Sequence, residues 1–481
     1  MKEEELIVKR INSVYSYIDC EPSIAYELNE YFSFFVPGYK FMPNFRNRIW
    51  DGKIYLFNPL KKQLYNGLIK YLEKFCKDRN YRLNLNSAVC SSFTLDDGHS
   101  FVGKIKADHL EIRDFQVETF TKAIRDKNGL FVCPTASGKS FIIYCIVRYL
   151  LKKTLIVVPT TTLVHQMYED FQSYGLDSDK YCHKIFSGKE KTTTKPIVIT
   201  TWQSIYKKDP EFFKEYEVVI GDEAHHFKSK SLTYIMSNLV NAEHRFGFTG
   251  TLDGTETHQL VLEGLFGPST EVITTADLME RGIVADLKIK SVILTHKDDD
   301  KKLVKKMNYA QEASFLAKHT SRNNFIRDLA LSLKGNTLIL FQYVELQGNG
   351  LYNSIKDKAN IPVYFIDGKV DGEKRNEIRN KINSLQNSIL VASYGTLSTG
   401  VNIPNIDNVI FASPYKSRIK VLQSIGRGLR KSSSKSKCVL YDIVDDMTWK
   451  QRENFGIIHY IERHKIYHEQ KFNVKTYRYS L

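Results

Sequence analysis

The stretch Cys133-Pro-Thr-Ala-Ser-Gly-Lys-Ser140 follows the apolar run Leu130-Phe-Val132 and precedes the helical run Phe141-Ile-Ile-Tyr-Cys-Ile-Val-Arg-Tyr149. A loop in that place aims the backbone N–H groups of Thr135, Ala136, Ser137 and Gly138, and a helix N-terminus, at phosphate oxygens. Lys139 would reach the β- and γ-phosphates and Ser140 a magnesium ion. Cys133 stands where the P-loop signature has its first glycine. A second run, Val218-Val-Ile-Gly-Asp-Glu-Ala-His225, is an apolar strand that ends in two acids at the carboxyl edge, where open α/β sheets bind ligands. Asp222 would hold the magnesium, while Glu223 would orient and polarise an attacking water. Taken singly, Gly138-Lys139-Ser140 could be an ordinary helix cap and either acid a solvated loop charge. Together they describe a site that hydrolyses a nucleoside triphosphate.

Such a site needs a parallel sheet to present it, and from about residue 129 short β-branched or aromatic runs alternate with longer helical ones. One series holds Leu130-Phe-Val132, Leu155-Ile-Val-Val158, Ile197-Val-Ile-Thr200, Val218-Val-Ile220 and Arg245-Phe-Gly-Phe-Thr249. A second holds Leu338-Ile-Leu-Phe341, Val363-Tyr-Phe-Ile366, Ile389-Leu-Val-Ala392, Val409-Ile-Phe-Ala412 and Val439-Leu-Tyr-Asp-Ile443. Strands this continuously apolar suit sheets covered by helices on both faces. The fold expected is α/β, with two such domains over 106–286 and 287–445. A small α+β nucleic-acid-binding domain is expected over 1–105, and a helical extension over 446–481, read from Ile457, Ile458, Ile461 and Ile466.

Composition agrees with a multidomain enzyme. The chain has 481 residues, 42% hydrophobic and 26% charged, which excludes low-complexity and mostly disordered classes. Its formal net charge of +15 favours a polyanionic partner, nucleic acid first. Apolar runs are strand-sized, far short of the ~18 residues of a membrane helix, and the charged opening Met1-Lys-Glu-Glu-Glu5 lacks an apolar signal region. A cytoplasmic protein with no membrane partner is expected. The seven cysteines are scattered without a Cys-x-x-Cys pair and read as reduced packing residues.

Between Tyr39 and Lys62 six basic residues (Lys40, Arg46, Arg48, Lys53, Lys61, Lys62) face one acid, Asp51, with six aromatics interleaved. Basic groups release counterions from a phosphate backbone and aromatic faces stack on bases. Arg46, Arg48 and Trp50 are the candidate nucleic-acid contacts, with Phe45 and Trp50 as candidate wedges. The competing reading makes the aromatics core and the lysines a solvated face.

From Arg113 to Ile443 the order of motifs resembles superfamily two helicases. Arg113-Asp-Phe-Gln116 looks like the Q motif, Cys133 to Ser140 motif I, Pro159-Thr-Thr-Thr-Leu-Val-His-Gln166 motif Ia, Asp222 to His225 motif II and Thr249-Gly-Thr251 motif III. Leu340-Phe-Gln342 resembles motif IV, Ser393-Tyr-Gly-Thr-Leu-Ser-Thr-Gly400 motif V, and Gln423-Ser-Ile-Gly-Arg-Gly-Leu-Arg430 motif VI. The resemblance implies two tandem RecA-like domains using ATP and Mg2+. It also implies nucleotide contacts at Gln116 (adenine edge), His225, Gly400 and Gln423, and arginine fingers at Arg427 and Arg430. It places a nucleic-acid backbone on Thr160, Thr161, Thr200, Thr201 and Trp202 in one domain, and on Gln342, Ser393 and Thr396 in the other. Asn402 departs from the acid many relatives carry after motif V and receives no catalytic role.

Tyr31-Phe-Ser-Phe-Phe35, Gly38-Tyr-Lys-Phe41, Asn44-Phe-Arg46 and Trp50-Asp-Gly-Lys53 narrow the resemblance to the UvsW-type recombination helicases of tailed phages. That implies an ATP-dependent DNA helicase for branched intermediates, acting in branch migration, fork regression and unwinding of D-loops and R-loops. Implied partners are single-stranded and branched DNA, RNA–DNA hybrids, and a single-strand-binding or recombination protein, with a monomeric chain. The alternatives are an ATP-switched DNA-binding and strand-annealing protein, or a duplex translocase subunit of a restriction or remodelling complex.

Overall fold

The computed structural model describes residues 5–85, 92–105, 107, 110–186, 193–227, 229–252, 254–395, 405–413, 417, 426 and 437–481. The chain divides into two compact units: 1–133 with 138–272, and 273–481 with the short loop 134–137.

In the first unit, seven parallel strands run in the order Cys182–Ile185, Ile197–Thr201, Thr154–Val158, Val218–Asp222, His244–Thr249, Asn128–Val132 and Ser269–Glu271. The five runs expected from sequence form its centre, and the two shorter strands extend it at either side. Leu155, Ile156, Val157 and Val158 are all buried, because helices and loops cover both faces. The helix Lys139–Leu150 is itself buried along Phe141 to Val147.

Residues ahead of this sheet form a five-stranded sheet whose antiparallel core pairs Glu5–Arg10 with Tyr15–Asp19, with Arg82–Leu85 joining it in parallel. The helices Pro22–Tyr31 and Ile69–Arg79 pack on it through Ile24, Leu28, Leu72 and Phe75. This α+β domain shares one continuous apolar core with Leu130, Val157 and Val219 of the larger sheet. Polar contacts fix the seam. Arg10 Nη2 and Ser13 Oγ bind the two oxygens of Glu243 at 2.6 and 3.0 Å, and Tyr71 OH donates to Glu263 at 2.6 Å. Gly67 is obligatory there, since a Cβ would stand 1.9 Å from the Glu263 carbonyl oxygen.

The second unit repeats the parallel design: Val363–Ile366, Ile389–Ser393, Thr337–Phe341, Asn408–Phe411, Lys437–Asp446, Asp286–Thr295 and Asn473–Ser480. The C-terminal segment is helical over Phe455–Glu469 and then continues as the strand Asn473–Ser480, which pairs with Asp286–Thr295. Two buried ion networks sit behind this sheet. Arg463 binds Asp442 through Nε and Nη2, both at 2.9 Å, and Arg322 Nε binds Asp445 at 2.8 and 2.9 Å. Their desolvation is offset by the forked geometry of the guanidinium.

The six described cysteines are buried, as expected of packing residues. Among the described residues no helix is long and apolar enough to cross a membrane.

Candidate nucleotide and nucleic-acid site

The first sheet carries its chemistry at the carboxyl ends of its strands. Val218–Asp222 and Asn128–Val132 flank His244–Thr249, so the acids and the phosphate loop open on the same edge. Cys133 lies in the loop entry with its amide on the Thr249 carbonyl at 2.7 Å and its side chain buried. It does not fall among the residues with positive φ, so this position has no need of glycine. The left-handed conformations fall instead at Ala136 (φ 69°) and Gly138 (φ 82°). At Gly138 a Cβ would meet Gln116 Nε2 at 2.2 Å.

Lys139 opens the following helix and turns its ammonium to the two acids, 3.0 Å from Glu223 Oε1 and 3.5 Å from Asp222 Oδ1. Burial alone would lower the lysine's pKa, but the Glu223 and Asp222 charges outweigh it and hold the group protonated. Burial would raise Glu223, yet Lys139, with His225 and His226 beside it, keeps its carboxyl well below the usual range. Asp222 goes the other way: burial pushes it up against the pull of Lys139, and the Glu223 charge adds to the push. One lysine therefore neutralises one acid and leaves the other under-compensated. Asp222 and the Ser140 hydroxyl are hard oxygen donors, and that donor set and missing positive charge fit magnesium.

Glu223 adopts φ 50°, a strained value for a side-chain-bearing residue. Asp222 Oδ1 accepts its amide at 2.9 Å and helps hold that turn. His225 Nδ1 lies 3.0 Å from Thr249 Oγ1 and 3.4 Å from Glu223 Oε2, which links the acid-bearing strand to its neighbour. The pairing between His225 and Thr249 was not legible in sequence, because the two lie on different strands and no spacing connects them. Gln116 is buried, and its Oε1 accepts the Arg113 amide at 3.0 Å as part of a helix cap.

Among the expected nucleic-acid contacts, Thr161 is exposed, while Thr160, Trp202 and Gln342 are partly so. Thr160 caps its helix on the Leu163 amide at 3.4 Å. Thr200, Thr201 and Ser393 are buried. The Thr200 hydroxyl donates to the Thr201 carbonyl at 3.1 Å, and Thr201 pairs with Ser204 at 2.9 Å. Thr396, Gly400, Asn402, Gln423, Arg427 and Arg430 lie outside the described residues.

In the small domain, Lys40, Phe45, Arg46, Arg48, Ile49, Trp50 and Asp51 line an open concavity. Trp50 is anchored, its indole N–H donating to the Lys53 carbonyl at 2.8 Å, and Tyr39 meets Phe45 edge-on at 4.7 Å. Phe57 is core. Apolar groups that project include Phe41, 77% exposed, Ile49, 74% exposed, and Leu60, 91% exposed. Residue type alone favoured Phe45 and Trp50, and only the backbone reveals which side chains the loop packs on itself.

A P-loop beside an Asp-Glu strand end, and two parallel seven-stranded sheets in tandem, define a RecA-like motor ATPase. Family models agree along the chain: "DNA helicase UvsW, N-terminal" over residues 7–86, "Type III restriction enzyme, res subunit" over 109–254 and "Helicase conserved C-terminal domain" over 321–432. The ATP-dependent DNA helicase uvsW of Enterobacteria phage T4 is 33% identical, across 95% of this chain and 96% of the relative. The crystal structure of T4 UvsW matches 99% of both chains at 30% identity with a TM-score of 0.52. The DNA 3'-5' translocase XPB2 of Sulfurisphaera tokodaii is 27% identical over 70% of this chain and 82% of its own length. The chain belongs to the UvsW family of superfamily two helicases.

Proposed function

We infer that this chain is an ATP-dependent DNA helicase that remodels branched intermediates in recombination, repair and replication. The observation that carries the reading is the Lys139 ammonium poised between Glu223 and Asp222, in one compact unit with a UvsW-type N-terminal domain.

The chemistry follows from charge pairing. Without nucleotide, Lys139 is the cation that makes two buried acids tolerable. When ATP enters, its β- and γ-phosphate oxygens compete for the ammonium, and Lys139 moves from the carboxylates to the phosphates. Glu223, released but still ionised, orients the attacking water and accepts its proton. Ser140 and Asp222 would hold magnesium, which spreads the charge developing on the phosphates. Backbone amides of Thr135 to Gly138 cradle the phosphates. Gln116 is assigned to the adenine edge, His225, Gly400 and Gln423 to the nucleotide pocket, and Arg427 and Arg430 to the fingers that stabilise the transferring phosphoryl group.

Thr160, Thr161, Thr200, Thr201, Trp202, Gln342, Ser393 and Thr396 are assigned to the DNA backbone. For Thr200, Thr201 and Ser393 the strand-end backbone groups make the contact, because their side chains are buried. Arg46, Arg48 and Trp50, with Phe41 and Ile49, are assigned to the branch point. We further assign a monomeric chain acting in the host cytoplasm.

The deciding experiment measures ATP turnover with no DNA, single strands, forks and four-way junctions. DNA-stimulated hydrolysis that Glu223→Gln abolishes, with junction remodelling lost in parallel, supports the reading. Hydrolysis indifferent to DNA, or to that substitution, defeats it. Similarity to a translocase and to a restriction subunit favours a second reading, duplex translocation without strand separation. Displacement of a third strand from a triplex without unwinding of forks would select it.

A further inference from the structure

Beyond the nucleotide chemistry, the strand Asp286–Thr295 ends beside a histidine that the helicase mechanism does not use. His296 is 3% exposed, and its Nε2 stands 3.0 Å from Asp445 Oδ1. Asp445 is already ionised by its bond to Arg322, so Nε2 carries the proton and donates. The remaining nitrogen, Nδ1, is then a bare lone pair, buried and without a hydrogen-bond partner. The His319 ring packs against the His296 ring, with centroids 4.9 Å apart and planes nearly perpendicular at 82°. His319 Nε2 is in turn 3.2 Å from Asp300 Oδ2. One donor atom each from His296, Asp300 and His319 lies within 4.8 Å of the other two.

The geometry points to a divalent transition-metal site, of zinc type, held by His296 Nδ1, Asp300 and His319 Nε2. Two imidazoles and one carboxylate are the borderline donors that select zinc and its neighbours over magnesium or calcium. The Asp445–His296 pair is the carboxylate–histidine support such sites use to fix tautomer and ring orientation. Asp300 is partly exposed, which gives the ion a route in and leaves a position for water. Ligation at Nε2 places the proton of His319 on Nδ1, so the long 3.3 Å contact from the Arg322 amide opens as the ion binds. The three ligands come from the end of a strand, the helix Asp298–Val304 and the residue capping the helix Thr320–Ser332. An ion there would staple these elements together within the second domain.

The test uses the full chain stripped of metal and titrated with Zn2+ against a chromophoric chelator. Excess Mg2+ is kept present so that Asp222 does not compete. The expected result is one equivalent bound, with a higher melting temperature. Asp300→Asn and His319→Ala should weaken affinity at least tenfold, and Asp299→Asn, on the same helix but 97% exposed, should leave it unchanged. Asp300→Asn alters a partly exposed side chain, so it keeps the test valid if His319→Ala fails to fold. No binding by the parent chain overturns the proposal. Equal binding by parent and Asp300→Asn overturns it too, and marks the ion as adventitious.

Discussion

His225 Nδ1 lies 3.0 Å from Thr249 Oγ1, and the Thr249 hydroxyl donates its single proton to the Thr251 carbonyl at 2.9 Å. The imidazole must therefore be the donor, with its proton on Nδ1. That N–H also faces Glu223 Oε2 at 3.4 Å, so one histidine spans the Glu223 carboxylate and the adjoining strand end.

Thr249→Val removes the nearer acceptor of that buried N–H and leaves it only the longer 3.4 Å approach to Glu223 Oε2. ATP hydrolysis should fall modestly, by about threefold to tenfold, which corresponds to roughly 1 kcal/mol for one hydrogen bond. Strand separation per ATP should fall further, because the link between the two strand ends is cut. Parallel measurement of turnover and unwinding checks it, and an unchanged ratio of the two would count against a coupling role.

Glu223→Gln and Lys139→Ala should separate chemistry from binding. The amide cannot accept the water's proton, so turnover should fall by about 10²–10⁴ while nucleotide affinity persists. Lys139→Ala leaves both acids without their cation, and ATP binding itself should be lost. Equilibrium binding of a fluorescent ATP analogue distinguishes the two.

Phe41→Ala with Ile49→Ala should weaken four-way-junction binding more than Phe45→Ala, since the first pair projects while Phe45 packs against Tyr39. Loss of Phe41 stacking, about 1–3 kcal/mol, predicts at least a fivefold change. Single-strand-stimulated ATPase should be nearly unaffected. Equal losses in both assays would assign the loop a structural role instead.

His244, at the start of the strand that ends in Thr249, is held down to about 4 by burial, with Lys152 and Lys127 adding repulsion. The unfolded chain binds this proton from about 6.5 downward and the folded chain does not, so stability rises with pH across that window. Acidifying from pH 7.5 to 5 should cost about 2 kcal/mol through this group. Urea midpoints at the two values, compared with His244→Asn, isolate the contribution. An identical slope in the variant would show that other groups carry it.

Gly67→Ala should pry the small domain from the first sheet, because its methyl group collides with the Glu263 backbone. A cost of about 1–3 kcal/mol is expected. Proteolysis between the small domain and the residues that follow should accelerate, and unaltered cleavage would mean that the seam relaxes without opening.

Both central sheets could be read from sequence because strands sealed on two faces are written as unbroken apolar runs, such as Leu155 to Val158 and Leu338 to Phe341. Asn473–Ser480 escaped that reading. Its Lys, Thr, Arg and Ser residues suit an exposed edge, and its apolar residues are too sparse to announce a strand. The meeting of Lys139 with Asp222 and Glu223 could be expected because each side lies in a short contiguous run at a strand end. That of His296, Asp300 and His319 could not, since their neighbourhood arises from three separate elements. Exposure was the least legible property. Phe41 and Phe57 are the same residue type 16 positions apart, yet one projects and the other is core.

The ties of Arg10 and Ser13 to Glu243, and of Tyr71 to Glu263, have a mechanical meaning. They make the small domain a welded handle rather than a tethered bead. In the proposed function, DNA held at Arg46 and Arg48 would be carried with the lobe bearing Lys139. Under that proposal each nucleotide-driven stroke would haul on the junction directly, with no slack to take up.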